Sequence, residues 1–439
     1  MRLATLYQYR WLLIRLPILV LAMVTASCLW LLVYPMPPMQ LSITTAAADG
    51  VYFRHAQAYA ERFAAHGVRL TVLPSAGSQQ NQDRLRTAVA PSDLAFMQGG
   101  FGYLGTTLGG IGQGRSRIET LANVNIEVVW IFSRNRDINA LAELQDLRVA
   151  MGPPGSGSRE IALKLLEQAR FDTRNATFSE LSGEEAVRAM RQNQIDVVMM
   201  VAPPESLIVR NMLNVPGVRL VSLHKSAAIT ERNPNLESRL LAEGALGNHQ
   251  PPQDITVLTT SSSLVAREDL HPALKRLATA VAIDVHTAGG LFHRAGDFPS
   301  LRRIDFPIAP QSRNTLVHGL PPLERLLPFW WAQLFERILL IVLPVALISV
   351  WLMQLVPNYL RWALESRLNR WYGELKFIEN DLSQQALSGL DLSRFMSRLT
   401  DMDKALLAFA CPKELMPRSF TLHQHIEFVR QRLYRMRGR

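Results

Sequence analysis

Two apolar stretches near the ends of the 439-residue chain constrain it more than anything between them. Leu16 to Tyr34 is interrupted only by Pro17, Thr25 and Ser27, and Ile338 to Val356 only by Pro344, Ser349 and Gln354. As helices, both reach across a hydrocarbon core of ~30 Å. Arg2, Arg10 and Arg15 precede the first, and Arg361, Arg367 and Arg370 follow the second. The flanks facing the middle of the chain are nearly free of Lys and Arg. By the positive-inside rule, both termini are expected in the cytoplasm and the middle outside the membrane. The expected layout is residues 1–15 cytoplasmic, 16–34 a span, 35–333 an extracytoplasmic domain, 334–356 a second span and 357–439 a cytoplasmic tail. Two cleavage readings compete with a retained first span. A cut near Ala46-x-Ala48 would remove Leu41 to Ala47, which reads as a core strand. A lipoprotein cut before Cys28 would leave Leu29 to Val33 as an apolar remnant. Retention is favoured over either.

Cys28 and Cys411 are the two cysteines, and both lie outside 35–333, so neither a disulfide nor a thiolate metal site is expected there. The net charge is +10, and from Asn358 onward 14 Lys/Arg face 9 Asp/Glu. That excess fits a tail near an anionic lipid bilayer, and no nucleic-acid motif accompanies it. The series Leu364, Leu368, Trp371, Leu375 and Phe420, Leu422, Ile426, Val429, Leu433 predict helices with an apolar stripe.

Between the spans, strand-like and helix-like runs alternate. Strands are predicted at 41–45, 69–73, 94–97, 128–132, 148–151, 196–201 and 218–222. Helices are predicted at 51–65, 78–90, 141–144, 159–169, 183–192 and 204–213. Such alternation predicts an α/β architecture with mainly parallel strands, and its length predicts two lobes. Small and neutral polar residues follow the strands: Ala46-Ala47-Ala48, Pro74 to Asn81, Gln98-Gly99-Gly100 and Ala202-Pro203-Pro204. The richest of these turns is Met151-Gly-Pro-Pro-Gly-Ser-Gly-Ser-Arg-Glu160. Its glycines allow positive φ, its serines can cap the following helix, and free N–H groups at a helix start attract a carboxylate or phosphate. It lacks the Lys-Ser/Thr of a P-loop and the spacing of a dinucleotide motif. The carboxylate of a small anion is expected against the N–H groups after Gly155, with Arg159 a candidate bidentate partner. Among His55, His66, His224, His249, His271, His286 and His293 no ligand spacing occurs, so no metal or cofactor is expected. No catalytic signature appears either: Ser156 has only a superficial likeness to a nucleophile on a strand-to-helix turn. No enzyme activity is expected.

Six motifs in order carry a resemblance: Thr44 to Phe53, Gly77-Ser78-x-x-Asn81, Asp93 to Gln98, Leu144-x-Asp146-Leu147-Arg148-Val149, Gly152 to Ser158, and Ile195-Asp196-x-x-Met199-x-Val201-Ala202. Over about Leu41 to Leu223 the chain resembles TAXI-class solute-binding subunits of tripartite ATP-independent periplasmic (TRAP) transporters. The resemblance implies a two-lobed periplasmic-binding-protein-like fold in a bacterial inner-membrane setting. It implies closure around a small organic anion or amino acid and delivery to a TRAP-type membrane permease. By motif, Tyr52, Gly77, Ser78, Asn81, Gln98, Ser156, Gly157 and Ser158 would line the cleft, with Gly155 and Arg159 added by the cradle reading. Asp49 stands where the family usually has Gly, either capping the helix from Val51 or facing the cleft toward an amino group. Family members are usually free or lipid-anchored, whereas two spans and a tail are expected here. A ligand-sensing regulator that signals through its spans to the tail is therefore the alternative to a transport receptor.

Overall fold

The alternating signals of the middle region become one mixed sheet of ten strands, in the order β2-β1-β3-β10-β4-β7-β5-β6, with β8 on β4 and β9 on β10. The structure is a computed structural model that describes residues 9, 11–33, 35–48, 50–87, 92–100, 118–134, 138, 140–172, 176–223, 226–384 and 389–437. Arg2, Arg10, Tyr34, Asp49, Ala90 and His224, named above, lie outside them. The chain divides into two compact units, Pro37–Gln333 and Met1–Met36 with Leu334–Arg439.

In the first unit, β1 (Gln40–Thr44) pairs in parallel with β2 (Arg69–Leu73) and β3 (Leu94–Gln98). A second parallel group joins β5 (Arg148–Ala150) to β6 (Thr177–Ser179) and β7 (Val197–Ala202). The groups meet through two long antiparallel strands, β4 (Ile118–Arg134) and β10 (Ile255–Arg267). Residues 262–266 of β10 carry β3, whereas residues 128–133 of β4 carry β7. The short strands β8 (Val218–Leu220) and β9 (Glu237–Leu241) extend the second group. Register shifts between Ser262 and Ser263 and between Leu264 and Val265 fall within the segment of β10 that also carries β3. Such bulges bend a strand and add twist, which curls the sheet.

The predicted strands and helices recur within a few residues, but the long pair changes the sheet from mainly parallel to mixed. β4 starts at Ile118 rather than Val128, and β10 was not anticipated. The reason is chemical. Asn123, Asn125 and Glu127 dilute the apolar run of β4, and Thr259 to Ser263 dilute that of β10, yet Asn123, Glu127, Thr259, Thr260, Ser262 and Ser263 are buried. Hydrogen bonds make part of that burial tolerable, such as Ser263 Oγ donating to Asn123 Oδ1.

Helices cover the groups with narrow apolar faces. α1 (Val51–Ala65) buries Ala56, Tyr59 and Phe63, three to four residues apart, and packs with α6 (Pro272–His286) over β1 and β3. Its N-cap is Gly50, without a side-chain cap. α2 (Ser78–Arg86) follows β2, and α3 (Gly157–Gln168) follows β5 and buries Ile161, Ala162, Leu165 and Leu166. α4 (Gly183–Arg191) and α5 (Leu207–Leu213) follow β6 and β7. Two further clusters, one around Trp130 and Val198 and one around Val149 and Met199, fill the faces of the second group.

Two helical runs, Trp11–Leu32 in the second unit and Phe329–Ser383, which lies in it from Leu334 onward, contain stretches long and apolar enough to cross a membrane. Leu19, Val20, Leu21, Met23, Leu339, Leu340, Leu347 and Ile348 are exposed along them. Beyond the apolar stretch, Leu364, Leu368, Leu375, Ile378 and Leu382 are spaced by three, four or seven residues, along one helix face. They pack against Leu399, Met402 and Leu406 of the helix Gly389–Ala408 and Leu422, Ile426, Val429 and Leu433 of Met416–Arg437. Asp403 and Arg430 join the last two helices at 3.0 Å. The predicted stripe holds except at Phe420, which is exposed.

Candidate functional site

The loops that follow β1, β2, β5, β6 and β7, together with Gln98 at the end of β3, surround one cavity of about 390 Å³. That size lies at the small end of the range for ligand pockets. The starts of five helices face it: Gly50 to Tyr52 of α1, Gly77 and Ser78 of α2, Ser156 to Ser158 of α3, Ser182 to Glu184 of α4 and Ser206 to Ile208 of α5. Each helix start presents N–H groups without intrahelical partners and the positive end of a dipole. Their convergence gives the rim an electropositive, hydrogen-bond-donating character without a cluster of cationic side chains.

Two glycines bring opposite sides of the rim together. Gly77 has φ +141°, and a Cβ there would lie 2.9 Å from both Gly155 O and Ser156 Cα. Both neighbours are backbone, so the loop after β2 rests on the cradle after β5 at a distance only glycine permits. A Cβ on Gly157 would lie 1.7 Å from Gln98 Oε1 and 2.8 Å from its Cδ. Gly157 therefore lets the amide end of Gln98 lie against the start of α3, and a side chain there would first have to displace that amide. Within the cradle, Ser156 Oγ accepts from Arg159 N at 3.3 Å and caps α3. Ser158 Oγ accepts from Val201 N at 3.0 Å, tying α3 to β7. No hydrogen-bond acceptor meets the N–H groups of Gly157 and Ser158 among the described residues.

The floor has a different chemistry. Glu127, opposite Thr260 where β4 and β10 pass between the strand groups, lines the cavity at 4% exposure. It has no ion pair among the described residues. Burial pushes its carboxyl up to about 7, against the lowering effect of the Tyr52 hydroxyl. Tyr52 stacks on Phe96 with ring centroids 5.5 Å apart. Its hydroxyl lies near Glu127 and Ser262 but forms no hydrogen bond of good geometry. Burial, then the Glu127 charge, raises the phenol above its ordinary value. Behind Phe96, His55 and His286 meet at 4.7 Å, and burial lowers them to about 4 and about 3.

Of the predicted site residues, Tyr52, Gly77, Ser78, Gln98, Ser156, Gly157 and Ser158 line the cavity. Asn81, Gly155 and Arg159 stand beside it in other roles. Asn81 is fully buried, accepts from Thr44 Oγ1 at 2.8 Å and donates to Thr45 O and Phe96 O at 2.5 and 2.9 Å. It staples three neighbouring segments together. Gly155 turns the cradle at φ +80°. Arg159 folds back to donate to Gly152 O at 3.0 Å. Ser78 also accepts from Gln98 N at 3.0 Å, fixing the end of β3, while Gln98 Nε2 is buried without an acceptor. Glu127, Arg54 and the starts of α4 and α5 were not foreseen. For Glu127 a signal was available: a lone carboxylate inside Val-Asn-Ile-Glu-Val-Val-Trp-Ile-Phe.

A family model described as NMT1-like family matches residues 43–281, from β1 into α6. No curated protein sequence matches the chain. Among solved structures, the chain is similar to the periplasmic aliphatic sulphonate binding protein SsuA from Escherichia coli, at 16% identity, covering 57% of this chain and 69% of that one, with a TM-score of 0.35. It is likewise similar to the alkanesulfonate-binding protein SsuA from Xanthomonas axonopodis pv. citri bound to MOPS, at 13% identity over 58% and 80%, with a TM-score of 0.34. For the periplasmic nitrate-binding protein NrtA from Synechocystis PCC 6803 the values are 15% identity, 56% and 61% coverage and a TM-score of 0.35.

Proposed function

The chain belongs to the NMT1-like family, and on that premise we propose that it is a membrane-anchored extracytoplasmic receptor for a small organic anion or amino acid. The observation that carries this reading is the convergence of five helix starts on one cavity of about 390 Å³. In this reading the two strand groups are lobes that close on the ligand, with β4 and β10 as the connection that bends. Tyr52, Gly77, Ser78, Gln98, Ser156, Gly157 and Ser158 touch ligand. Asn81, Gly155 and Arg159 hold the loops that do so. The apolar stretches of Trp11–Leu32 and Phe329–Ser383 cross the bacterial inner membrane with both termini in the cytoplasm. Delivery to a TRAP-type permease follows from the motif resemblance, and tethering raises the receptor's local concentration beside such a partner.

Titration calorimetry on the detergent-solubilised full chain, with organic acids and amino acids, tests the receptor reading. Saturable binding to a single site is expected, and no binding across both classes would contradict it. One observation favours a second reading, a regulator signalling to its tail: the helices from Leu343 to Arg437 share a packed core that Ile14 of the first apolar run joins. Removing 358–439 separates the two. Uptake survives in a receptor, whereas a regulator loses its downstream response with ligand binding intact.

A further inference from the structure

The cavity has two chemically opposite ends. Its rim offers backbone donors, including the acceptor-free N–H groups of Gly157 and Ser158. Beside them the buried Nε2 of Gln98 meets no acceptor. Its floor offers a carboxyl, Glu127, beside the Tyr52 hydroxyl. An ionised carboxylate buried without a partner is costly, and that cost is relieved by a cation or by donors that arrive with a ligand. A ligand that is purely anionic satisfies the rim and leaves the floor unpaired or repelled. A ligand bearing both a carboxylate and an ammonium group satisfies both.

Resting on the receptor reading, we propose that Glu127 is the ammonium subsite of a zwitterion-binding cavity, so that the ligand is an amino acid whose carboxylate lies at the start of α3. Glu127 then works as a specificity residue: it discriminates amino acids from carboxylic acids of the same skeleton. The ring of Tyr52, held against Phe96, keeps its hydroxyl at the floor beside the carboxyl. Gln98 and the N–H groups of Gly157 and Ser158 take the ligand carboxylate, which both classes share.

The experiment is a matched-pair titration on the full chain. Each common L-amino acid is compared with the acid in which hydrogen replaces its amino group, for example alanine with propionate and glutamate with glutarate. The amino acid of the binding pair is expected to bind on the order of tenfold to a hundredfold more tightly, the range for a hydrogen bond to a charged group. In Glu127→Gln this preference is expected to collapse while the deaminated acid retains its affinity. The same contrast in the wild-type protein needs no variant, and a thermal melt of Glu127→Gln establishes that it folds. Equal binding of both members of every pair, or a preference that persists in Glu127→Gln, overturns the proposal and leaves the receptor reading standing. Failure of both classes to bind overturns both.

Discussion

Rim and floor of the cavity are built by contrasting means. The rim is backbone: five helix starts, carried on loops of Gly, Ser and Ala, with side chains kept small so that the loops can touch. The floor is one side chain, Glu127, on a strand that runs through both halves of the sheet. Donors made of backbone survive most side-chain changes but fail when a Cβ intrudes. A floor made of one carboxyl has the reverse weakness: it tolerates changes of shape and answers to changes of charge. Each prediction below presses on one side of that contrast.

The largest effect is expected at the rim. Gly77→Ala places a Cβ 2.9 Å from backbone atoms of Gly155 and Ser156 while demanding φ +141° of a residue with a side chain. The two costs together should destabilise the protein by about 3 kcal/mol. Thermal unfolding would report this as a clear drop in Tm, with ligand binding weakened in parallel. An unchanged Tm would mean that the loop after β2 does not rest on the cradle.

The second effect isolates the floor. Burial raises the Glu127 carboxyl from its ordinary 4.5 to about 7 in the folded chain. The folded state therefore holds this proton more tightly than the unfolded state does. The resulting stability is present in full below pH 4.5 and is lost as pH rises toward 7, a span of about 3 kcal/mol. The other ionisable side chains lining the cavity are Tyr52, Arg54 and Glu184. His55 and His286 act in the opposite sense, since their lowered values cost stability as pH falls below about 6.5. The difference in stability between wild type and Glu127→Gln cancels the histidines. That difference should change with pH between 4.5 and 7, and a flat difference would mean that the carboxyl is solvated or paired.

A third effect shows that closeness to the rim is not membership in it. Asn81→Ala removes three buried hydrogen bonds to Thr44, Thr45 and Phe96. Two carbonyls lose a donor, so a loss of about 2 kcal/mol in stability is expected. Affinity per folded molecule should change little. A large affinity loss with unchanged stability would return Asn81 to the site. Smaller still, Ser156→Ala removes the N-cap of α3 at a cost of about 1 kcal/mol.

The same contrast explains what could be read from the sequence. Strand-to-helix turns advertise themselves through Gly, Ser and Pro, so the loops around Tyr52, Gly77 and Ser156 were foreseen, and the motif spacing pointed to Gln98. Glu127 is not legible as a strand residue because the continuous apolar run that signals the strand starts only at Val128. Its predecessors Asn123 and Asn125 look like loop residues until their partners on β10 are known. Thr259 to Ser263 carry too little apolar character to signal a strand, and pairing across more than a hundred positions leaves no local trace. Asn81 and Arg159 illustrate the converse. Their positions near the cavity were legible, but backbone carbonyls had already claimed both side chains.

A structure of the full chain with its tightest-binding amino acid is the most direct measurement. The ligand carboxylate is expected about 3 Å from the N–H groups of Gly157 and Ser158, and the ammonium nitrogen about 3 Å from a Glu127 oxygen. A ligand bound in the reverse orientation, or seated elsewhere while this cavity stays empty, would contradict the opposed roles of rim and floor.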